Sequence, residues 1–364
     1  MKVIDICSYL DKYAPPAYQE SYDNAGLLVG DPQMEIQGAL ITLDVTEEVL
    51  DEAIQQKSGL IVAHHPLIFG GLKRITGKNM IERIVIKAIQ NNIAIYAAHT
   101  NLDSVWGGVN TRIADRIGLK NQEVLSPVEN SLIKLVYFVP EANAQETREA
   151  IFEAGAGHIG DYDMCSYNLH GTGTFRAGEG TNPYVGEKGE MHKEAETRVE
   201  TILPGYLKNK VLTALITSHP YEEVAYDIYP LANVNHRVGL GMVGELEKPM
   251  NEKKFLELLK EKFNAECLRH TDFLNRSIKR VAVCGGSGSS LIKKAMHTGA
   301  DVFVTGDIKY HQFFEAENRI MLVDLGHYET EQVTKALFYE LLNKKFPKFA
   351  LRQTEVNTNP INYI

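Results

Sequence analysis

Only one of the 364 residues is tryptophan and only four are cysteine. Those four, Cys7, Cys165, Cys267 and Cys284, never fall into a CxxC spacing, which leaves no basis for a disulfide framework or a thiolate zinc site. No apolar run approaches the roughly 18–20 residues of a membrane-spanning helix. The stretch Met1–Leu10 carries Asp5 inside its apolar part and lacks a secretory pattern. Positive charge is also in short supply. Lys and Arg number 38 against 47 Asp and Glu, a net charge of −9, so nucleic acid and anionic lipid are poor general partners. The hydrophobic share of 44% and the charged share of 23% are globular values, which excludes disordered and collagen-like classes. These absences point to a cytoplasmic protein without a membrane partner, long enough for two domains of about 150 residues each.

Before residue 126 the chain alternates short apolar runs with helical windows. Gly38–Leu43, Leu60–Ala63 and Ile93–Ala98 read as strands, Thr46–Gln56 and Met80–Gln90 as helices with apolar residues at spacings of three and four. Strands without polar alternation, separated by helices, imply a parallel sheet covered on both faces. After residue 236 the rhythm returns: strands at Lys279–Cys284, Asp301–Thr305 and Ile320–Asp324, helices at Ser289–His297 and His311–Ala316, and one long helix from about Tyr328 to Asn343. GLIVAHHPL matches ADVFVTGDI in its strand-then-turn order, and IAIYAAHTNLD matches IMLVDLGHYETE, which implies two pseudo-symmetric β-α-β units. The middle differs. Strands at Leu132–Val139, Gly160–Leu169, Glu194–Leu203 and Val224–Pro230, with helices at Ala144–Ala154 and Pro204–Thr217, give a β-α-β-β-α-β order that suggests a ferredoxin-like α+β domain. The expected fold is therefore α/β: a discontinuous core of residues 1–126 and 236–364, interrupted by an inserted domain of residues 127–235. The glycine-rich stretch 171–190 within the insertion reads as a connector.

The chemistry gathers at strand ends. His64, His65, His99 and His327 follow predicted parallel strands, where the loops of an open α/β sheet converge on a ligand crevice. Neighbours on a regular strand point to opposite faces, but where the chain turns before Pro66 the His64 and His65 rings can reach one pocket. Asp103 lies in the loop after the same strand as His99. His327 and Glu331 are four apart and share one helix face. Imidazole with carboxylate and no thiolate suits zinc, iron(II) or manganese. Three histidines and two carboxylates exceed the needs of one ion and suit two ions about 3.5–4 Å apart, with Glu331 as the bridge. Spacing alone leaves other readings open: the histidine pair as a turn feature, the His327–Glu331 pair as a solvated hydrogen bond, His99 as a loop cap.

The runs YDNAGLLVG (22–30), AHHPLIF (63–69), AAHTNLDS (97–104), VCGGSGS (283–289), FVTGDIKYH (303–311) and DLGHYETE (324–331) together resemble the GTP cyclohydrolase type 2-homologue family, also called NIF-three-like or DUF34. The resemblance implies a dinuclear centre of two divalent ions, zinc or iron before manganese, ligated by His64, His65, Asp103, His327 and Glu331. It further implies a toroidal homohexamer and a PII- or CutA-like inserted domain. By the family name the substrate is GTP, with attack at the purine C8 position.

The turn Cys284–Ser289 follows a strand and opens a helix, so its N–H groups either cradle a phosphate or serve a tight turn that needs positive φ. Asp307, Lys309 and His311 end the neighbouring strand. His311 and His99 are candidates for acid–base or substrate contacts beside a catalytic Glu331. The leading expectation is a metal-dependent hydrolase of a nucleotide or phosphorylated small molecule. A non-catalytic metal-binding or regulatory scaffold is the alternative, and a nuclease inside the ring is disfavoured by the acidic balance.

Overall fold

Three short apolar runs become strands that are buried along their whole length. In a computed structural model that describes residues 1–364, β2 (Gly38–Thr42), β3 (Leu60–Ala63) and β4 (Ala94–Ala97) expose no residue, as parallel strands covered on both faces must. They join β1 (Gly26–Val29) and β15 (Ala350–Gln353) in the order β1-β4-β3-β2-β15. All neighbours are parallel except β1, which runs antiparallel along β4. The first sheet is thus mixed rather than wholly parallel. A second sheet is built from β5 (Lys120–Val128), β10 (Asn235–Asn251), β11 (Arg269–His270), β12 (Ser277–Val283), β13 (Val302–Thr305) and β14 (Met321–Asp324). Its order is β11-β14-β13-β12-β10-β5, with β12, β13 and β14 parallel and antiparallel strands flanking them.

Helices between the strands start where polar side chains meet unpaired N–H groups. Thr46 accepts from Val49 N to begin α2 (Glu47–Gln55), and Asn79 accepts from Glu82 N to begin α3 (Met80–Gln90). Alternate residues of each strand then enter different cores. Ile41, Val62 and Tyr96 of the first sheet share one cluster with Val281, Val304 and Val323 of the second. Between them lie α1 (Val3–Tyr13), α5 (Val109–Ile117), α8 (Glu252–Phe263) and α11 (Val333–Lys345), which contribute Ile6, Ile113, Phe255 and Phe338. On the other faces, Leu40, Ile61 and Ile95 pack against α2 and α3, and Ala282, Phe303 and Leu322 against α9 (Ile292–His297). One shared core therefore fixes both sheets, and the loops at their strand ends, in one frame.

The chain divides into two compact units, Met1–Pro127 with His236–Ile364, and Val128–Asn235. In the second unit β6 (Leu132–Pro140), β7 (Tyr167–Arg176), β8 (Met191–Pro204) and β9 (Tyr226–Pro230) form a four-stranded sheet in the order β7-β8-β6-β9, every neighbour antiparallel. Two helices, α6 (Ala144–Glu153) and α7 (Lys208–Ser218), close a separate core around Leu135, Tyr137, Ile151, Val199 and Leu215.

Three local expectations change. The strand expected at 160–169 is β7, so the first six residues of the glycine-rich stretch are paired in a sheet rather than free. Gly173 stands opposite Glu194 on β8, and a Cβ there would collide with the Glu196 carboxylate. The long helix expected from Tyr328 is two, α10 (His327–Glu331) and α11, parted at Gln332. Thr330 Oγ1 bonds back to the carbonyls of Gly326 and His327, a pattern that bends helices. The helix expected at His311–Ala316 is a 3₁₀ run, Tyr310–Ala316. No helix is long and apolar enough to cross a membrane.

Candidate metal centre

Two adjacent histidines reach one place because the chain turns at once after β3. The N–H groups of His64 and His65 both donate to the carbonyl of Leu43, at 3.2 and 3.0 Å, so the strand ladder ends there. His64 is fully buried, and its Nδ1 lies 2.9 Å from the carbonyl of Ala98. A carbonyl can only accept, so Nδ1 carries the proton and Nε2 is left as a lone pair. Burial pushes the His64 pKa down, which keeps the ring neutral, the form that binds metal. His65 is held at both ends: Nδ1 is 2.7 Å from Asp44 Oδ1 and Nε2 is 2.8 Å from Glu331 Oε2. Burial opposes its charge, but these two hydrogen bonds outweigh it and raise the metal-free ring to about 10.

Short helices after the third parallel strand of each sheet bring the remaining groups. After β4, α4 (Thr100–Ser104) starts at His99 and carries Asp103. After β14, α10 carries His327 and Glu331. The two sheets thus repeat a His-x-x-x-carboxylate arrangement at matching places. His327 Nδ1 is 2.8 Å from Asp307 Oδ2 and its Nε2 is 2.9 Å from Glu331 Oε2. Burial works against its charge and the bonds to Glu331 and Asp307 overcome it, so the ring titrates at about 9. His99 Nδ1 is 2.8 Å from Asp23 Oδ1. Asp23 is buried, which would raise its pKa, but bonds from His99, Thr100 and the Asn24 N–H pull it down to about 2.

Glu331 is the centre of the cluster. Its Oε1 lies 3.7 Å from His64 Nε2, while Oε2 faces His65 and His327. Burial would raise its pKa, yet the surrounding histidines hold it well below the carboxylate range. Asp103 shows the opposite: burial, and then the Glu331 charge, drive its carboxyl well above that range. Asp103 Oδ1 and His64 Nε2 are buried without any hydrogen-bond partner, 3.7 Å apart. Two orphaned ligand-type atoms facing each other, beside two buried carboxylates that repel, are what a bound cation would reconcile. The ligand atoms sort into His64, Asp103 and Glu331, and into His65, His327 and Glu331, with a third grouping of His64, His65 and His99. Each grouping could hold a metal ion.

The glycine-rich turn after β12 is shaped by this cluster. Gly286 has φ of +57°, and a Cβ there would sit inside van der Waals contact of Glu331 Oε1, so both its backbone and its neighbour demand glycine. The N–H groups of Gly285, Gly286 and Gly288 are taken by the side chains of Asn110, Thr330 and Thr305. His311 does not join the cluster. It is exposed on the 3₁₀ run, its ring against Tyr310 and Phe314. Sequence reasoning missed Asp44, Asp23 and the C-terminal residues Thr358 and Asn359. Asp44 had a usable signal, since it stands two residues past β2 as His65 stands two past β3.

The cluster opens into a cavity of about 860 Å³, within the range of small-molecule sites. Tyr22, Phe69, Met80 and Ile361 give it an apolar wall, Ser287 and Ser290 come from the glycine-rich turn, and no lysine or arginine lines it.

Fold and site together define an α/β protein with a candidate metal centre between the strand ends of two sheets. The chain belongs to the Duf34/NIF3 (NGG1p interacting factor 3) family, whose model matches residues 1–360. It is 43% identical to a GTP cyclohydrolase 1 type 2 homolog of Halalkalibacterium halodurans, over 99% of this chain and 98% of that one. It is 40% identical to the protein of the same description in Bacillus subtilis, with the same coverage. Among solved structures it is similar to a Bacillus cereus protein related to NIF3, with a TM-score of 0.87, 40% identity, and 100% and 99% of the two chains covered.

Proposed function

We propose that the protein is a dinuclear metal-dependent hydrolase acting on a nucleotide or phosphorylated small molecule. The observation that carries this reading is the division of Glu331, one oxygen toward His64 and the other toward His65 and His327. That division would suit a carboxylate shared by two ions, one that His64 and Asp103 would help to hold and another that His65 and His327 would. Zinc or iron fits the imidazole-rich donor set, manganese less well. Bound divalent ions supply Lewis acidity and an acidified water.

The chain's own groups then have distinct tasks. Asp44 and Asp307 fix the ring directions of His65 and His327. Asp23 holds Nδ1 of His99, leaving its Nε2 to exchange a proton with substrate. The wall of Tyr22, Phe69 and Met80 packs a ring or base. Because no lysine or arginine lines the cavity, and the His65 and His327 rings of the metal-free protein are already paired with Asp44, Asp307 and Glu331, a phosphate group depends on the ions for its countercharge, and the metal-free protein should bind nucleotide far more weakly than the loaded one. GTP, from the description of the relatives, is the first substrate to try.

The finer features of the fold belong to the same proposal. The order β7-β8-β6-β9 with two helices supports a ferredoxin-like, PII- or CutA-like insertion, and the matched strand–helix repeats support two pseudo-symmetric units. A ring of six copies is the assembly implied by the family resemblance, to be measured by light scattering.

The test is a metal-quantified preparation screened against nucleotides and phosphate esters beside Glu331→Gln. Turnover that needs metal, and falls with the loss of about one ion in the variant, supports the reading. Two ions retained in Glu331→Gln refute the bridge, and metal binding without any turnover favours the scaffold.

A further inference from the structure

The residues that follow β15 return to the centre from outside. Thr354 N donates to the Ile41 carbonyl at 2.8 Å, continuing the β2–β15 ladder. Thr354 Oγ1 and Glu355 N bond the Glu52 carboxylate of α2, and Val356 packs against the cluster beneath α2 and α3. The chain so anchored crosses the end of β2. There Thr358 Oγ1 donates to Asp44 Oδ2 at 2.7 Å, while the other oxygen of Asp44 holds His65. The next residue, Asn359, donates from Nδ2 to Glu329 Oε1 at 3.1 Å. Glu329 is buried on α10, between His327 and Glu331. Thr358, Asn359, Pro360 and Ile361 also line the 860 Å³ cavity. Asn359 and Ile361 face a second cavity of about 410 Å³ as well, so the segment is a wall between the two.

We propose that residues 354–361 form a strap that positions the metal centre, with Thr358 and Asn359 as its positioning residues. The inference rests on the dinuclear reading and adds residues to it. A carboxylate bonded through one oxygen can turn about its own axis; Asp44, bonded through both, cannot. Thr358 thereby fixes the direction in which Asp44 receives the proton of His65 Nδ1, and so where His65 Nε2 points. Asn359 acts on the other side, tethering the short helix that carries His327 and Glu331. Two consecutive residues thus clamp one ligand-bearing segment from each sheet. Both clamped segments serve the same ion, the one assigned to His65, His327 and Glu331. The ion assigned to His64 and Asp103 shares Glu331 with it, but its other two ligands are set by the Ala98 carbonyl and by α4, so the strap bears chiefly on the first ion.

Competitive titration of the full-length, metal-stripped protein with zinc, read by a chromophoric chelator, separates the two ions. In Thr358→Val one of the two zinc affinities should fall by up to about 10-fold, the low end of what losing a ligand's own outer partner costs, because Thr358 acts through Asp44, while the other stays at the wild-type value. Thr358→Ser should restore it, since the hydroxyl and not the methyl does the holding. Asn359→Ala provides a second variant and should weaken the same site. Wild-type affinities at both sites in Thr358→Val and Asn359→Ala, with only a lower melting temperature of the metal-free protein, would reduce the strap to a structural tie and overturn the proposal. So would Thr358→Ser binding as weakly as Thr358→Val. A wild-type protein that takes up no zinc would overturn the dinuclear reading itself, a different result from two intact sites that ignore the strap.

Discussion

Asp103→Asn should make the metal-free protein more stable and the metal-loaded protein less so. Asp103 is 9% exposed, its Oδ1 has no hydrogen-bond partner, and its neighbour Glu331 is ionised and buried. A buried polar group left unmet costs about 1–3 kcal/mol. Asparagine keeps the shape, removes the ionisable group that burial and Glu331 oppose, and brings an N–H₂ that can donate toward His64 Nε2, 3.7 Å away from the present oxygen. A gain of that size corresponds to roughly 2–4 °C per kcal/mol for a folding unit of this length. Chelator-treated wild type and variant, melted side by side at neutral pH, should therefore differ by several degrees in favour of the variant. The gap has a defined pH dependence. Burial and Glu331 raise the folded pKa of Asp103 above its unfolded value, so its penalty is absent below the unfolded value and grows as pH rises from there toward the folded pKa. The gap should open in that direction. With saturating zinc the order should reverse, because wild type gains the binding free energy of an ion that the variant holds poorly. A metal-free variant less stable than wild type, or one that keeps both ions, would refute the assignment of Asp103 as a carboxylate held for a cation.

Three further outcomes are expected. In the metal-free protein His65 at about 10 and His327 at about 9 sit above the unfolded value of 6.5, so their stabilisation is complete below pH 6.5 and lost as pH rises through those values; a melting temperature flat between pH 6.5 and 10 would contradict this. Gly286→Ala, at φ of +57° beside Glu331, should cost about 1–3 kcal/mol and lower metal content, whereas Gly178→Ala, with open space around it, should change neither. Replacing Val128–Asn235 by a short Gly/Ser linker should leave a soluble core that still binds metal, since β5 and β10 are neighbours in the second sheet and hold the two cut ends together. An insoluble product or one without metal would count against a self-contained core.

Much of the core was legible in particular residues. Leu60–Ala63 is a strand and Met80–Gln90 a helix over the spans their apolar spacing predicts, because burial on both faces or on one stripe leaves a plain periodic mark. The mark is weaker in β10, where Gly239, Gly241 and Gly244 interrupt the pattern. It is absent in β15, a four-residue edge strand with no buried residue. At the site, ligand-type residues at strand ends could be read from local order. Their outer partners could not. Thr358 meets Asp44 across 314 positions, and nothing in the spacing of either foretells the other. His311 illustrates the converse: its place beside a strand end suggested the pocket, but the 3₁₀ run after β13 turns it to solvent.

The pairing of β15 with β2 also bears on how the protein is made. A ribosome adding about 5–20 residues per second delivers Gly38–Thr42 long before Ala350–Gln353, by roughly 15–60 s at that pace. Throughout that interval the first sheet has a bare edge at β2, and His64 and His65 wait for Glu331. The unit Val128–Asn235, with its own core, can fold during the same interval. Assembly is therefore expected to run out of order, with the middle of the chain folded first and the nascent amino-terminal sheet exposed for longest. It is during this wait that a chaperone would find the most to hold.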